Sequence, residues 1–177
     1  MDDAALIRAV REHAYLEGDF VLRSGKRSSY YLDKYRFETV PDLLEALSAR
    51  LAAKAAEIEP DAVRLAGPEL GAVALAAAAS LASRLPFLIV RGEAKAYGTA
   101  NRIEGAYTEG ERVVLIEDVV TSGGAAADAV RAVRQAGLEC RTAICVIDRE
   151  EGGADALARL GVRLHSLLRA TQVVAGR

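Results

Sequence analysis

The stretch VVLIEDVVTSGGA, residues 113–125, decides how this chain is read. Val113, Val114, Leu115 and Ile116 form an unbroken aliphatic run, which predicts a strand buried on both faces. Two carboxylates follow at once, Glu117 and Asp118. Then come two hydroxyls, Thr121 and Ser122, and two glycines, Gly123 and Gly124. Residues 126–136, AADAVRAVRQA, continue as a helix closed by Gly137. A strand that ends in acids and turns through a hydroxyl–glycine loop into a helix suits a phosphorylated sugar. The acids accept hydrogen bonds from sugar hydroxyls. The loop N–H groups and the helix N-terminus hold a phosphate, because those donors lack internal partners and the helix dipole favours an anion. The plain alternative is a tight strand-to-helix turn with surface acids.

Outward from this stretch the chain alternates. Residues 62–66 read as a strand, 67–71 as a loop, 72–84 as a helix and 87–90 as a strand. A long polar segment, 91–111, follows. After the signature come a strand over 141–147, a short helix over 154–160 and a last strand over 163–168. Alternating apolar strands and helices imply a parallel sheet flanked by helices. Ligands of such sheets bind beyond the carboxyl ends of the strands. The loops 67–71, 91 onward, 117–124 and 148–153 are therefore expected on one rim. Towards the N-terminus, residues 3–17 read as an amphipathic helix with Leu6, Ile7, Val10 and Ala14 on one face and Gly18 as the stop. Short strands are expected at 20–22 and 29–32 around the turn 24–27. Pro41 opens a helix with the stripe Leu43, Leu44, Leu47 and Leu51.

The 177 residues suit one domain, and 51% hydrophobic residues make a buried core feasible. A net charge of −2 gives no bulk attraction to nucleic acid. No apolar run reaches membrane-spanning length. The acidic N-terminus MDDAA lacks a signal-peptide pattern, so a cytoplasmic protein is expected. Cys140 and Cys145 are an odd number of residues apart on a predicted strand, which sets them on opposite faces and argues against a mutual disulfide. His13 and His165 read as structural, and no Cys/His cluster has metal-ligand spacing.

The segment from Arg91 reads RGEAKAYGTANRIEG and is too polar for core. Loops of this length in compact domains are usually lids or disordered. Arg91, Lys95 and Arg102 suit a polyanion, and Gly92, Gly98 and Gly105 allow a hinge. A solvated hairpin of mixed charge is the other reading, since Glu93 and Glu104 offset two of the cations.

Taken whole, residues 113–125 resemble the phosphoribosyl pyrophosphate (PRPP) signature of the type I phosphoribosyltransferases. Four further strings sharpen the resemblance to the orotate phosphoribosyltransferases. Residues 91–98, RGEAKAYG, are similar to that family's lid, R-K-E-A-K-x-[YH]-G. Residues 20–33, FVLRSGKRSSYYLD, are similar to its F-x-L-x-S-G-K-x-S-x-Y-Y-x-D. Residues 66–80 resemble its pyrophosphate-side loop and helix, and IDREEGG, 147–153, its D-R-x-E-G-G. The matches run in family order over nearly the whole chain.

The resemblance implies a central, mostly parallel sheet flanked by helices, with a small N-terminal hood (1–40) and a flexible lid (91–111) in one domain, 1–177. It implies transfer of the phosphoribosyl group from PRPP to orotate with Mg²⁺, giving orotidine 5-phosphate and pyrophosphate. No protein ligand to the metal is expected, because PRPP mainly holds it. Glu117 and Asp118 would hold the ribose hydroxyls. Val119, Val120, Thr121, Ser122, Gly123, Gly124 and Ala125 would wrap the 5-phosphate. Arg149 would contact orotate, Thr121 would lie near it, and Lys26 would reach both substrates from the hood. Arg91, Lys95 and Tyr97 would close over the pyrophosphate, with Lys95 and Asp118 counted as catalytic. One of Tyr30 and Tyr31 would face the base. The family's lid typically reaches the partner subunit's site, which implies a homodimer. Two departures stand out: Gly92 replaces the lid's first Lys, and Ala125 replaces a frequent Ser or Thr. They leave two alternatives, a PRPP-binding regulator or degenerate relative without activity, and a transferase for another base.

Overall fold

The computed structural model describes residues 1–21, 25, 27–93 and 101–176. Lys26, Lys95 and Tyr97, each expected at the site, lie outside the described residues. β3 (Arg64–Pro68), β4 (Phe87–Val90), β6 (Arg112–Val120), β7 (Glu139–Asp148) and β8 (Arg163–Arg169) pair in parallel, and β5 (Ile103–Glu104) adds an antiparallel edge. The order is β5-β4-β3-β6-β7-β8, so the signature strand β6 is central. This is the α/β sheet that the alternation implies.

β6 feeds two cores. Val114 and Ile116 join Leu47, Leu51, Leu75 and Ile144 on the side of α3 (Pro41–Ile58) and α4 (Gly71–Ser83). Val113 and Leu115 join Leu88, Val130, Val133 and Leu157 on the side of α5 (Gly124–Gln135) and α6 (Gly153–Ala158). Each large aliphatic side chain buried this way contributes roughly 1.5–3 kcal/mol.

α1 (Asp3–Ala14) starts at Asp2, whose side chain accepts from the Ala5 N–H at 2.7 Å, and it buries Leu6, Ile7, Val10 and Ala14. It stops three residues before the expected end. Tyr15 instead enters β1 (Tyr15–Val21), which pairs antiparallel with β2 (Arg27–Leu32), and its ring stacks on Tyr30 at 5.7 Å. Gly18 lies within β1, at the register shift between Glu17 and Phe20.

Other boundaries also move. Glu117 to Val120 belong to β6 rather than to a loop, because β7 keeps pairing alongside as far as Val120 with Asp148. Gly67 and Pro68 end β3, and Gly71 opens α4. The expected lid contains an edge strand, β5, where Val90 pairs with Ile103. Two short helices, α2 (Lys34–Glu38) and α7 (Ala170–Ala175), escaped the periodicity because neither spans two full turns. Cys140 and Cys145 are buried free thiols in β7, and burial pushes the Cys140 thiol up to about 11. Among the described residues no helix is long and apolar enough to cross a membrane.

Candidate active site

The carboxyl ends of β3, β4, β6 and β7 meet on one rim, and backbone hydrogen bonds tie their loops together. The Glu69 N–H donates to the Val90 carbonyl at 2.9 Å, and the Arg149 N–H to the Val120 carbonyl at 2.8 Å. The Gly92 N–H donates to Glu69 Oε1 at 2.7 Å. The loop into α6 packs on the loop into α5. A Cβ at Gly153 would meet Val120 Cγ1 at 2.3 Å and the Thr121 carbonyl oxygen at 2.8 Å, so only glycine allows this approach.

At the end of β6 the two acids are nearly dry, with Glu117 6% and Asp118 3% exposed. Continuing the strand's alternation puts Asp118 on the α4 face and Glu117 on the α5 face. Asp118 Oδ2 pairs with Lys34 Nζ at 2.5 Å, and its Oδ1 accepts from the Val119 N–H at 2.5 Å. This carboxylate presses on the start of α4, where a Cβ at Gly71 would fall 1.8 Å from Oδ2. Glu117 Oε1 has no hydrogen-bond partner. Burial first, and then the Asp118 charge, push its carboxyl up to about 8. Glu38, in α2, is likewise buried with Oε1 unpartnered, and burial followed by Asp118 raises it to about 8.

Beyond β6, Thr121, Ser122, Gly124 and Ala125 are exposed, while Gly123 is buried at the N-cap of α5 with φ +79°. No side chain caps α5. Its first N–H groups thus face a rim that can accept an anion. On the far side of this loop stands Arg149, its side chain only 7% exposed. The guanidinium pairs with Glu151 at 2.9 Å and lies 5.3 Å over the Tyr30 ring, while Nε is buried with no hydrogen-bond partner among the described residues. Tyr30 in turn stacks on Tyr15, and Arg11 lies 4.3 Å over that ring. Tyr31 is 41% exposed and leans on Phe20 instead.

The phosphoribosyl transferase domain model matches residues 39–159. The orotate phosphoribosyltransferase of Methanocella arvoryzae is 42% identical over 97% of this chain and 97% of its own length. That of Halobacterium salinarum is 49% identical over 89% and 87%. The chain belongs to the orotate phosphoribosyltransferase family. It is therefore an enzyme of the phosphoribosyl-transferring class. A solved member, the Mycobacterium tuberculosis orotate phosphoribosyltransferase in complex with PRPP, superposes with a TM-score of 0.83 at 29% identity, covering 98% of this chain and 99% of that one.

Within this family frame, Glu117, Asp118, residues 119–125, Arg149 and Arg91 all sit on the one rim. Arg91 leans on Glu104, 3.9 Å away, and its Nε approaches the Glu93 carbonyl at 3.4 Å. Arg102, read as a lid cation, anchors to Asp128 of α5 at 2.6 Å. His13 bonds the Ala9 carbonyl through Nδ1, and His165 stands in β8. Three site residues escaped the sequence reading. Lys34 escaped because its partner is 84 residues away, and Glu38 because only its burial near Asp118 marks it. Glu69 escaped because it was read only as part of a motif. A lone Lys beside Asp33 carries no spacing signal that would have found it.

Proposed function

We propose that this protein converts orotate and PRPP into orotidine 5-phosphate and pyrophosphate, with its donor site at the end of β6. One observation carries the residue roles: the acid pair, the uncapped start of α5 and Arg149 share one rim, tied by the Arg149 N–H to the Val120 carbonyl. Family membership and the PRPP complex of the M. tuberculosis relative support the choice of donor.

In this reading the ribose hydroxyls bind Glu117 and Asp118. The 5-phosphate takes the N–H groups and hydroxyls of residues 119–125. Orotate meets Arg149, whose planar, permanently charged fork suits a carboxylate on a flat ring. The unpartnered Nε is a donor awaiting such a ligand. Thr121 and Lys26 complete the base side. Arg91, Lys95 and Tyr97 close over the pyrophosphate.

Breaking the bond from ribose C1 to pyrophosphate builds positive charge on the sugar and negative charge on the leaving group. Fixed cations stabilise the latter, and a closed lid keeps water from capturing the former. Among the described residues no three His, Cys, Asp or Glu side chains could hold a metal ion together. In this reading Mg²⁺ would arrive with the donor's diphosphate and its waters, and it would supply charge neutralisation to the departing pyrophosphate. The reading extends to one domain over 1–177, a homodimer sharing its lids, and a cytoplasmic location.

The test mixes purified protein with Mg²⁺, PRPP and each of orotate, adenine, guanine, xanthine and uracil, and assays pyrophosphate. Release with orotate alone is expected. Release with a purine instead would overturn the choice of base, and PRPP binding without turnover would overturn the enzymatic role.

A further inference from the structure

Asp118 meets the rim with both oxygens already engaged. Lys34 holds Oδ2 from α2, and the Val119 N–H holds Oδ1 from β6 itself. A carboxylate oxygen has two lone-pair sites, so one remains on each oxygen. Among the described residues Lys34 is the cation that stands beside Asp118, Glu38 and Glu117. Glu38 faces Asp118 from α2, one turn beyond Lys34, with Asp33 at the cap of that helix adding negative charge. Glu117, its neighbour in β6 on the opposite face, is close enough to feel its charge. From α4 the Gly71 backbone approaches. Among the described residues Lys34 is the cation that pairs with Asp118, and without it nothing opposite the strand would fix the orientation of this buried carboxylate.

We propose that Lys34 is a positioning residue for the donor's ribose: its ion pair holds Asp118 turned so that each carboxylate oxygen offers one lone pair to one of two adjacent hydroxyls. This rests on the assignment of the β6 end as the donor site. Lys34 acts through Asp118 and does not itself touch PRPP. A carboxylate free to rotate would lose the match to two neighbouring hydroxyls.

The experiment is steady-state kinetics on wild type, Lys34→Met, Lys34→Arg, Asp118→Asn and the double variant Lys34→Met/Asp118→Asn. Lys34→Met is expected to raise the KM for PRPP about 10- to 100-fold, the weight of one charge-assisted contact, with little change in the KM for orotate. Lys34→Arg should restore most of the affinity for PRPP. In the Asp118→Asn background, Lys34→Met should add nothing. The double variant, in which neither member of the pair is charged, also serves if Lys34→Met alone fails to fold. Additive losses in the double variant would overturn the proposal, as would equal rises in both KM values. Wild-type turnover separates the two readings. If wild type forms no orotidine 5-phosphate, the donor-site assignment falls and takes this inference with it. If it does, and the Lys34 variants match it, only the role of Lys34 falls.

Discussion

Arg149 holds its guanidinium between Glu151 and the face of Tyr30, and leaves Nε buried and unpartnered. A Lys at that position keeps the charge but loses the planar fork and the stacking. Arg149→Lys should therefore raise the KM for orotate roughly 10- to 100-fold while the KM for PRPP moves far less. Equal rises in both would argue that Arg149 shapes the rim rather than reads the base. Gly92 sits opposite, exposed, where the family lid carries Lys. A Cβ there would lie 3.3 Å from Glu69 Oε1, which needs only a slight shift of a flexible carboxylate. The same carboxylate would then partner the new ammonium. Gly92→Lys should raise kcat/KM for PRPP about tenfold, within the range of one charge-assisted contact. An unchanged or lower value would show that the glycine costs the enzyme nothing. Both residues were legible in the sequence because their neighbours in the chain carry the motif. Lys34 was not, since it has meaning only beside Asp118.

At the scale of elements, the start of α4 and the end of β6 fit only because Gly71 has no side chain. Gly71→Ala would place a methyl group 1.8 Å from Asp118 Oδ2 and 2.8 Å from Lys34 Nζ, so the carboxylate or the helix start must move. The expected outcome is a folded protein by circular dichroism with PRPP affinity reduced at least tenfold, from the loss of one ionic contact. Retained affinity would mean that Asp118 does not need its present place. The hood matters in the same way. β1 and β2 carry Tyr15 and Tyr30 into a stack that runs from Arg11 to Arg149, and Arg11 also bonds the Val173 carbonyl at 3.0 Å. Tyr30→Ala should loosen Arg149 and raise the KM for orotate, though less than Arg149→Lys does; an unchanged KM would leave the stack a purely structural feature. The sequence set Tyr30 and Tyr31 on alternate faces of a strand but could not choose between them. The structure stacks Tyr30 on Tyr15, which leaves the first helix to pair with β2, and leaves Tyr31 41% exposed.

Across the whole molecule, Glu38 and Glu117 are carboxyls raised from 4.5 to about 8, chiefly by burial. A raised carboxyl binds its proton more tightly in the folded state than in the unfolded chain. Its contribution is fully present below about pH 4.5 and is lost as pH rises through about 8. Glu111 works the other way. The hydrogen bond from Arg64, then that from Thr108, hold it at about 2, so its contribution is present above 4.5 and lost as pH falls through about 2. The ligand-free protein should therefore show its highest melting temperature on the acid side of neutrality and lose stability from about pH 5 to about pH 8. Glu38→Gln should flatten that slope, and a slope unchanged by it would move the cause elsewhere. What the sequence by itself determined was the alternation of strand and helix, the shared rim and the family. Each of these is carried by residues close together in the chain, through apolar periodicity or contiguous motif. Only the tertiary structure decided that the acids lie inside β6 rather than after it, that they point to opposite faces, and that a lysine from a five-residue helix balances one of them. Burying a carboxylate is unfavourable until a distant partner is brought beside it, and that partner arrives only when the sheet, α2 and α4 close together.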